Sequence, residues 1–187
     1  MPSLSEADRR TALQLARKAV VEAVSHRQLP DAFPREGIFA ERHAVFVTLH
    51  VNKRLQGCIG VVEANEPLGE AIVRCAASAA LEDPRFAPLR TEQLGELSIE
   101  ISLLSPMEPI APESIEIGHH GLFFRLHAQR GLLLPQVATE HRLTREQFLE
   151  ETCRKAGLNR EAWRDPEARL FGFTCEVFSE GSHGERT

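Results

Sequence analysis

The chain has 187 residues, which suits one domain or two joined lobes. With 42% hydrophobic residues it can bury a normal core, and its formal net charge of −5 argues against nucleic acid or an acidic membrane surface as partner. The cysteines, Cys58, Cys75, Cys153 and Cys175, form no C-x-x-C pair, so the zinc-ribbon and thioredoxin motifs are excluded and free thiols in a reducing cytoplasm are expected.

Taken in chain order, Ser3-x-x-Glu6 reads as a capping box ahead of Leu13, Ala16, Val20 and Val24. Their spacing predicts an amphipathic helix from Glu6 to Ser25. Pro30, Pro34 and Gly37 make the following stretch a loop. Val45, Val47, Leu49 and Val51 then alternate with Phe46, Thr48 and His50, giving a strand. Asn52-Lys53 is a plausible hairpin turn. In the return strand Leu55, Gly57, Ile59 and Val61 share one face, and Gln56, Cys58, Gly60 and Val62 the other. Two glycines inside a strand mark a bulge or a close approach of backbone or ligand.

Pro67 opens a helix to Leu81 that buries Leu68, Ile72, Cys75, Ala76 and Ala79. Glu82-Asp83-Pro84-Arg85-Phe86 forms a polar break, and Thr91 caps a short helical turn. Leu97, Ile99, Ile101 and Leu103 alternate with Ser98, Glu100 and Ser102 in the clearest strand. The prolines at 106, 109 and 112 place a lobe boundary near 105–112. Leu122–Leu126 and Gly131–Leu134 predict a second hairpin about Ala128-Gln129. Thr144-x-x-Gln147 caps a helix through Cys153 that Gly157 ends, and Trp163 sits in a short turn. Phe171, Phe173, Cys175 and Val177 form a last strand. One domain over 1–179 and a polar tail from 180 are expected. Hairpins mixed with helices, without β-α-β alternation, give an α+β class with a mainly antiparallel sheet and flanking helices.

Cys58 is the leading candidate for chemistry. A free cysteine is often a small buried hydrophobe, and that is the plainer reading. Its glycine neighbours and its place on the less apolar face favour a reactive thiol, which needs a cation or a base nearby. Arg54, Arg85 and His120 are the helpers on offer. No His/Cys cluster has ligand spacing near Cys58, and there is no phosphate-cradling loop, so no metal or other cofactor is expected. Glu100 is either a solvated strand residue or a ligand contact. Arg85 either pairs with Asp83 in its turn or grips an anion. Gln136 binds a ligand or its own loop. His120, before Gly121, is an inert loop residue or is presented to a cleft. Cys75, Cys153 and Cys175 read as core, and Trp163 as a packing anchor.

Several blocks together carry a resemblance. Leu55-Gln56-Gly57-Cys58-Ile59-Gly60 is followed by Glu82-Asp83-Pro84-Arg85-Phe86 and by Ile99 to Pro106. Gly118-His119-His120-Gly121-Leu122, Leu134-Pro135-Gln136-Val137, Lys155-Ala156-Gly157-Leu158 and Trp163 come next. In this order they resemble the AMMECR-type domain family, called AmmeMemoRadiSam system protein A in bacteria and archaea. The resemblance implies an α+β fold with two closely packed lobes around a cysteine cleft. It implies a genomic association with a Memo-like protein and a radical-SAM protein, which are the partners expected, but no defined reaction. His120 rather than His119 matches the family histidine, which makes a Cys58–His120 couple conceivable. Gln56 stands where the signature commonly has Arg. Two functions follow: a ligand- or protein-binding component in which Gln56, Gly57, Gly60, Arg85, Glu100 and Gln136 shape the site, or a small cytosolic enzyme using Cys58 on a small metabolite.

Overall fold

The structure is a computed structural model that describes residues 4–30 and 33–181. It is α+β, with two antiparallel four-stranded sheets and helices. The chain divides into two units: the first runs to Leu103 and takes back the segment from Glu176, and the second is Leu104–Cys175.

In the first unit, helix α1 (Glu6–His26) begins where Ser5 and Asp8 form a reciprocal capping box. Ser3 of the expected box lies outside the described residues. Arg27 closes the helix in the left-handed region, at φ 57°. Strands β1 (Val45–Val51) and β2 (Arg54–Val61) form the expected hairpin. Asn52 and Lys53 both take positive φ, 51° and 64°, so the turn has the handedness that matches strand twist. Helix α2 (Leu68–Leu81) and strand β3 (Leu97–Leu104) follow the sequence pattern closely.

The sheet order is β2-β1-β3-β8, where β8 is Cys175–Ser179. Val45, Val47, Leu49, Ile99, Ile101 and Leu103 join the buried faces of α1 and α2 in one core. The opposite face carries the polar members of each strand. Glu176 and Glu180 tie β8 to α1 through Arg9 (2.6 Å) and Arg17 (2.5 Å). Glu180 therefore belongs to the fold, and the tail expected from 180 does not begin there; residues 182–187 lie outside the described residues.

A bulge decides the register of the first hairpin. A two-residue turn at Asn52-Lys53 without a bulge would set Cys58 opposite Val47, mixing the apolar face of one strand with the polar face of the other. Instead the ladder slips between Leu49 and His50: Leu49 pairs with Gly57 and His50 with Leu55, leaving Gln56 unpaired. Gly57, Ile59 and Val61 then face Leu49, Val47 and Val45. Leu55 moves to His50's side and is 42% exposed, so it does not share the face of Gly57 as the alternation suggests.

The second unit has sheet order β4-β7-β5-β6. Its strands are β4 (Glu108–Pro109), β5 (Gly121–Leu126), β6 (Gln129–Leu133) and β7 (Arg169–Phe173). The hairpin turns at His127 and Ala128, one residue earlier than expected, with His127 at φ 51°. Helix α3 (Pro135–Glu140) was not legible in the pattern, and α4 (Arg145–Lys155) has the Thr144–Gln147 capping box. Phe124, Phe148 and Leu149 are buried, and Trp163 packs against both the cluster of Phe148 and Leu149 and that of Phe124 and Cys153. The single last strand read from Phe171 to Val177 is two strands, parted at Thr174 and placed in different sheets.

Candidate functional site

Cys58 lies on β2, an edge strand of the first sheet. Its Cα partner is Thr48, and Thr48 also faces Glu100 on β3, so one row across three strands reads Cys58, Thr48, Glu100. The neighbouring rows are Gly60, Phe46, Ser102 and Leu55, His50, Ser98. Side chains in these rows share one face of the sheet.

The hydrogen bonds show how Cys58 is held. Its N–H donates to Asp83 Oδ2 at 2.8 Å, and its carbonyl accepts from Arg85 Nη2 at 3.1 Å. Both peptide groups of Cys58 thus point away from β1. The Thr48–Cys58 pair is of the non-hydrogen-bonded kind, in which side chains approach most closely. Accordingly the Thr48 hydroxyl donates to Cys58 Sγ at 3.3 Å. Cys58 is half-buried, while Cys75 and Cys153 are fully buried. Burial pushes the thiols of Cys75 and Cys153 up to about 11 and that of Cys175 up to about 12. Cys175 is only partly buried, so it is not the closed core residue its strand pattern suggested.

Asp83 is the buried member of the clamp, its side chain 2% exposed. Its carboxylate accepts from Arg85 Nε (2.9 Å) and Nη2 (2.7 Å), and from the Arg85 backbone N–H (3.1 Å). The Arg85 guanidinium, with the N–H groups of Cys58 and Arg85, holds this carboxyl well below the usual carboxylate range. The Arg85 pKa is raised, chiefly by the hydrogen bond to Asp83; burial opposes the rise, and Cys58 adds to it.

The glycines have packing duties. A methyl group at Gly57 would overlap the Ala79 carbonyl oxygen of α2. One at Gly60 would overlap the Phe46 ring, which lies against it. Gln56, the bulge residue, donates through its amide to the Ala87 carbonyl at 2.8 Å and so braces the turn that carries Asp83 and Arg85. It stands outside the paired row of Cys58.

His120 and Gln136 belong to the second unit. The His120 ring Nδ1 accepts the Glu116 N–H at 3.0 Å, a staple across four residues that leaves Nε2 to carry the proton of a neutral ring. The sharp turn is made by Gly118 at φ 83°, not by Gly121, which opens β5 against the Phe173 ring. Gln136 lies in the first turn of α3. The Gly118 loop touches α3 at Thr139, and Leu122 pairs with Leu133, so His120 and Gln136 come to the same end of the second sheet.

The first unit therefore brings Cys58, Arg85 and the Glu100 row together. Thr48 and Asp83 complete this site; Asp83 pairs with Arg85 as the turn suggested, but its bond to the Cys58 N–H, and the place of Thr48, were not legible in the sequence. The mismatch between the two strand patterns and the two-residue turn is the signal that reveals Thr48. Among the described residues no group of three His, Cys, Asp or Glu side chains is placed to hold a metal ion, and no helix is long and apolar enough to cross a membrane.

The family model AMMECR1 matches residues 13–178. The chain belongs to the AMMECR1 family. A protein of Methanothermobacter thermautotrophicus is 42% identical over 187 residues, covering 95% of this chain and 96% of that one. One from Aquifex aeolicus is 39% identical, covering 92% and 93%. The crystal structure of an uncharacterized Pyrococcus horikoshii protein has a TM-score of 0.84 at 36% identity, covering 91% of this chain and 90% of that one. The AMMECR1 match takes in the Cys58 row, the Asp83–Arg85 turn and the His120 loop.

Proposed function

We propose that this chain is a ligand-binding component that works in the cytoplasm with a Memo-like protein and a radical-SAM protein. Its ligand meets the Cys58 row of the first sheet. One observation carries the reading: a half-buried thiol sits among hydrogen-bonding side chains while its own peptide groups are fully engaged by Asp83 and Arg85. Gly57 lets α2 pack close behind the strand, Gly60 leaves room for the Phe46 ring beside the thiol, Glu100 borders the row, and Gln56 fixes the adjoining turn. The partners rest on the resemblance of the signature blocks. The test is co-purification of the tagged chain from cells expressing both partners, with wild type and Cys58→Ser compared. Capture of either partner, weakened by the substitution, supports the reading; capture of neither ends the partner assignment.

A second reading, a small enzyme with Cys58 as nucleophile, is favoured by the Arg85 guanidinium beside the thiol. Full pathway activity in a Cys58→Ser protein would rule it out.

A further inference from the structure

The guanidinium of Arg85 has more donors than its clamp uses. Nε and Nη2 are spent on Asp83, and Nη2 also serves the Cys58 carbonyl. The hydrogen bonds of the clamp use only Nε and Nη2, the guanidinium also interacts with the Cys58 side chain, and the Arg85 side chain is 50% exposed. The guanidinium also lies over the Phe86 ring, at 5.3 Å from its centroid, which limits its freedom. Plain closure of the strand edge would need only a backbone group or a neutral side chain at the Cys58 peptide. Here a buried carboxylate on a turn holds a planar cation in one orientation against the peptide of a partly exposed cysteine.

We infer that Arg85 sets the ligand specificity of the Cys58 site, taking the carboxylate or phosphate of a small anion on its Nη1 edge, and that Asp83 is the positioning residue that aims it. This rests on the reading that a ligand meets the Cys58 row. Asp83 balances the charge of Arg85, so selection comes from directed hydrogen bonds more than from net attraction. The ligand's reactive or apolar part then lies over Cys58 and Thr48.

The experiment compares iodoacetate with iodoacetamide at neutral pH, scoring alkylation at Cys58 by peptide mass spectrometry. In each case sulfur attacks the methylene carbon, a C–S bond forms, the C–I bond breaks and iodide leaves. The two reagents differ in carrying a carboxylate or a neutral amide. Buried Cys75 and Cys153 serve as internal controls. The expected result is that the iodoacetate-to-iodoacetamide rate ratio falls about threefold to tenfold in Arg85→Gln, the size of one lost charge-assisted contact at a half-exposed site. Asp83→Asn should lower the ratio in the same direction. Arg85→Lys should retain most of it, although lysine cannot reproduce the clamp. A purely structural brace would be broken equally by Lys and Gln.

If the ratio is unchanged in Arg85→Gln while Cys58 still reacts, Arg85 is only a brace and the inference fails with the ligand site intact. If Cys58 in the folded wild type reacts with neither reagent, the reading of an accessible site fails with it. Should Asp83→Asn not fold, Arg85→Gln decides alone, because its side chain is half exposed.

Discussion

Cys58 and His120 invite comparison, since both lie beside a glycine at a strand and both drew attention from sequence. Their supports differ in range. His120 is fixed within its own loop: its ring accepts the N–H of Glu116, four residues away, its own N–H donates to the Glu116 carbonyl, and the ring lies edge-on to that of His119. Cys58 is fixed by Thr48 across the hairpin and by Asp83 and Arg85, 25 and 27 residues on. A local staple needs only its own loop. The Cys58 site exists only when β1, β2, α2 and the turn after α2 have all assembled. Chemistry built on Cys58 is therefore coupled to the stability of its unit in a way that the His120 loop is not.

That contrast can be broken experimentally, and insertion of one residue between Gly57 and Cys58 should have the largest effect. Cys58 would move from Thr48 to a place opposite Val47 and turn toward α2, carrying Ile59 and Val61 off the apolar face. The expected outcome is loss of a cooperative thermal transition; an insertion protein that still melts cooperatively would show that the strand absorbs the extra residue in a second bulge.

Gly57→Ala comes next. The added methyl meets the backbone of Ala79, which cannot rotate away, so a loss of about 3 kcal/mol is expected in urea denaturation. A change within experimental error would mean that α2 moves freely on the sheet.

Asp83→Asn should cost about 2 kcal/mol near neutral pH, discounted for the half-exposed guanidinium of Arg85. The pH dependence has a defined sign. The carboxyl titrates below its ordinary value of 3.8 in the folded protein, so the folded state binds its proton more weakly than the unfolded chain. The stability it contributes is present above about pH 4 and is lost as pH falls below that. Asp83→Asn should flatten this acid limb, and an unchanged slope in denaturation at pH 2 to 5 would contradict the clamp.

His120→Ala should have the smallest effect, under about 1 kcal/mol, because one partly exposed local bond is lost. A larger loss would show that the His120 loop is integral to the core of its unit.

Much of the fold follows directly from period and punctuation. The two-residue alternation in Val45–Val51 and Leu97–Leu104 and the Thr144–Gln147 cap appear in the structure as read. The misses have particular causes. Helix α3 is six residues long, too short for a helical period to show. Thr174 carries no break signal, so β7 and β8 read as one strand although they join different sheets. Of the site, Cys58 was legible from its flanking glycines and Arg85 from the family-like turn. Thr48 and Asp83 had bland local readings as a strand residue and a turn residue.

By itself the sequence determined the α+β class, the family, the position of the thiol and the hairpin that carries it. These depend on local propensity, side-chain alternation and the order of short blocks, all of which are written along the chain. Only the tertiary structure decided that a bulge at Gln56 turns Cys58 toward Thr48, and that the Asp83–Arg85 pair closes on the Cys58 peptide groups. Those facts depend on which distant peptide groups are left to be satisfied once the strands pair, and that is a property of the assembled sheet.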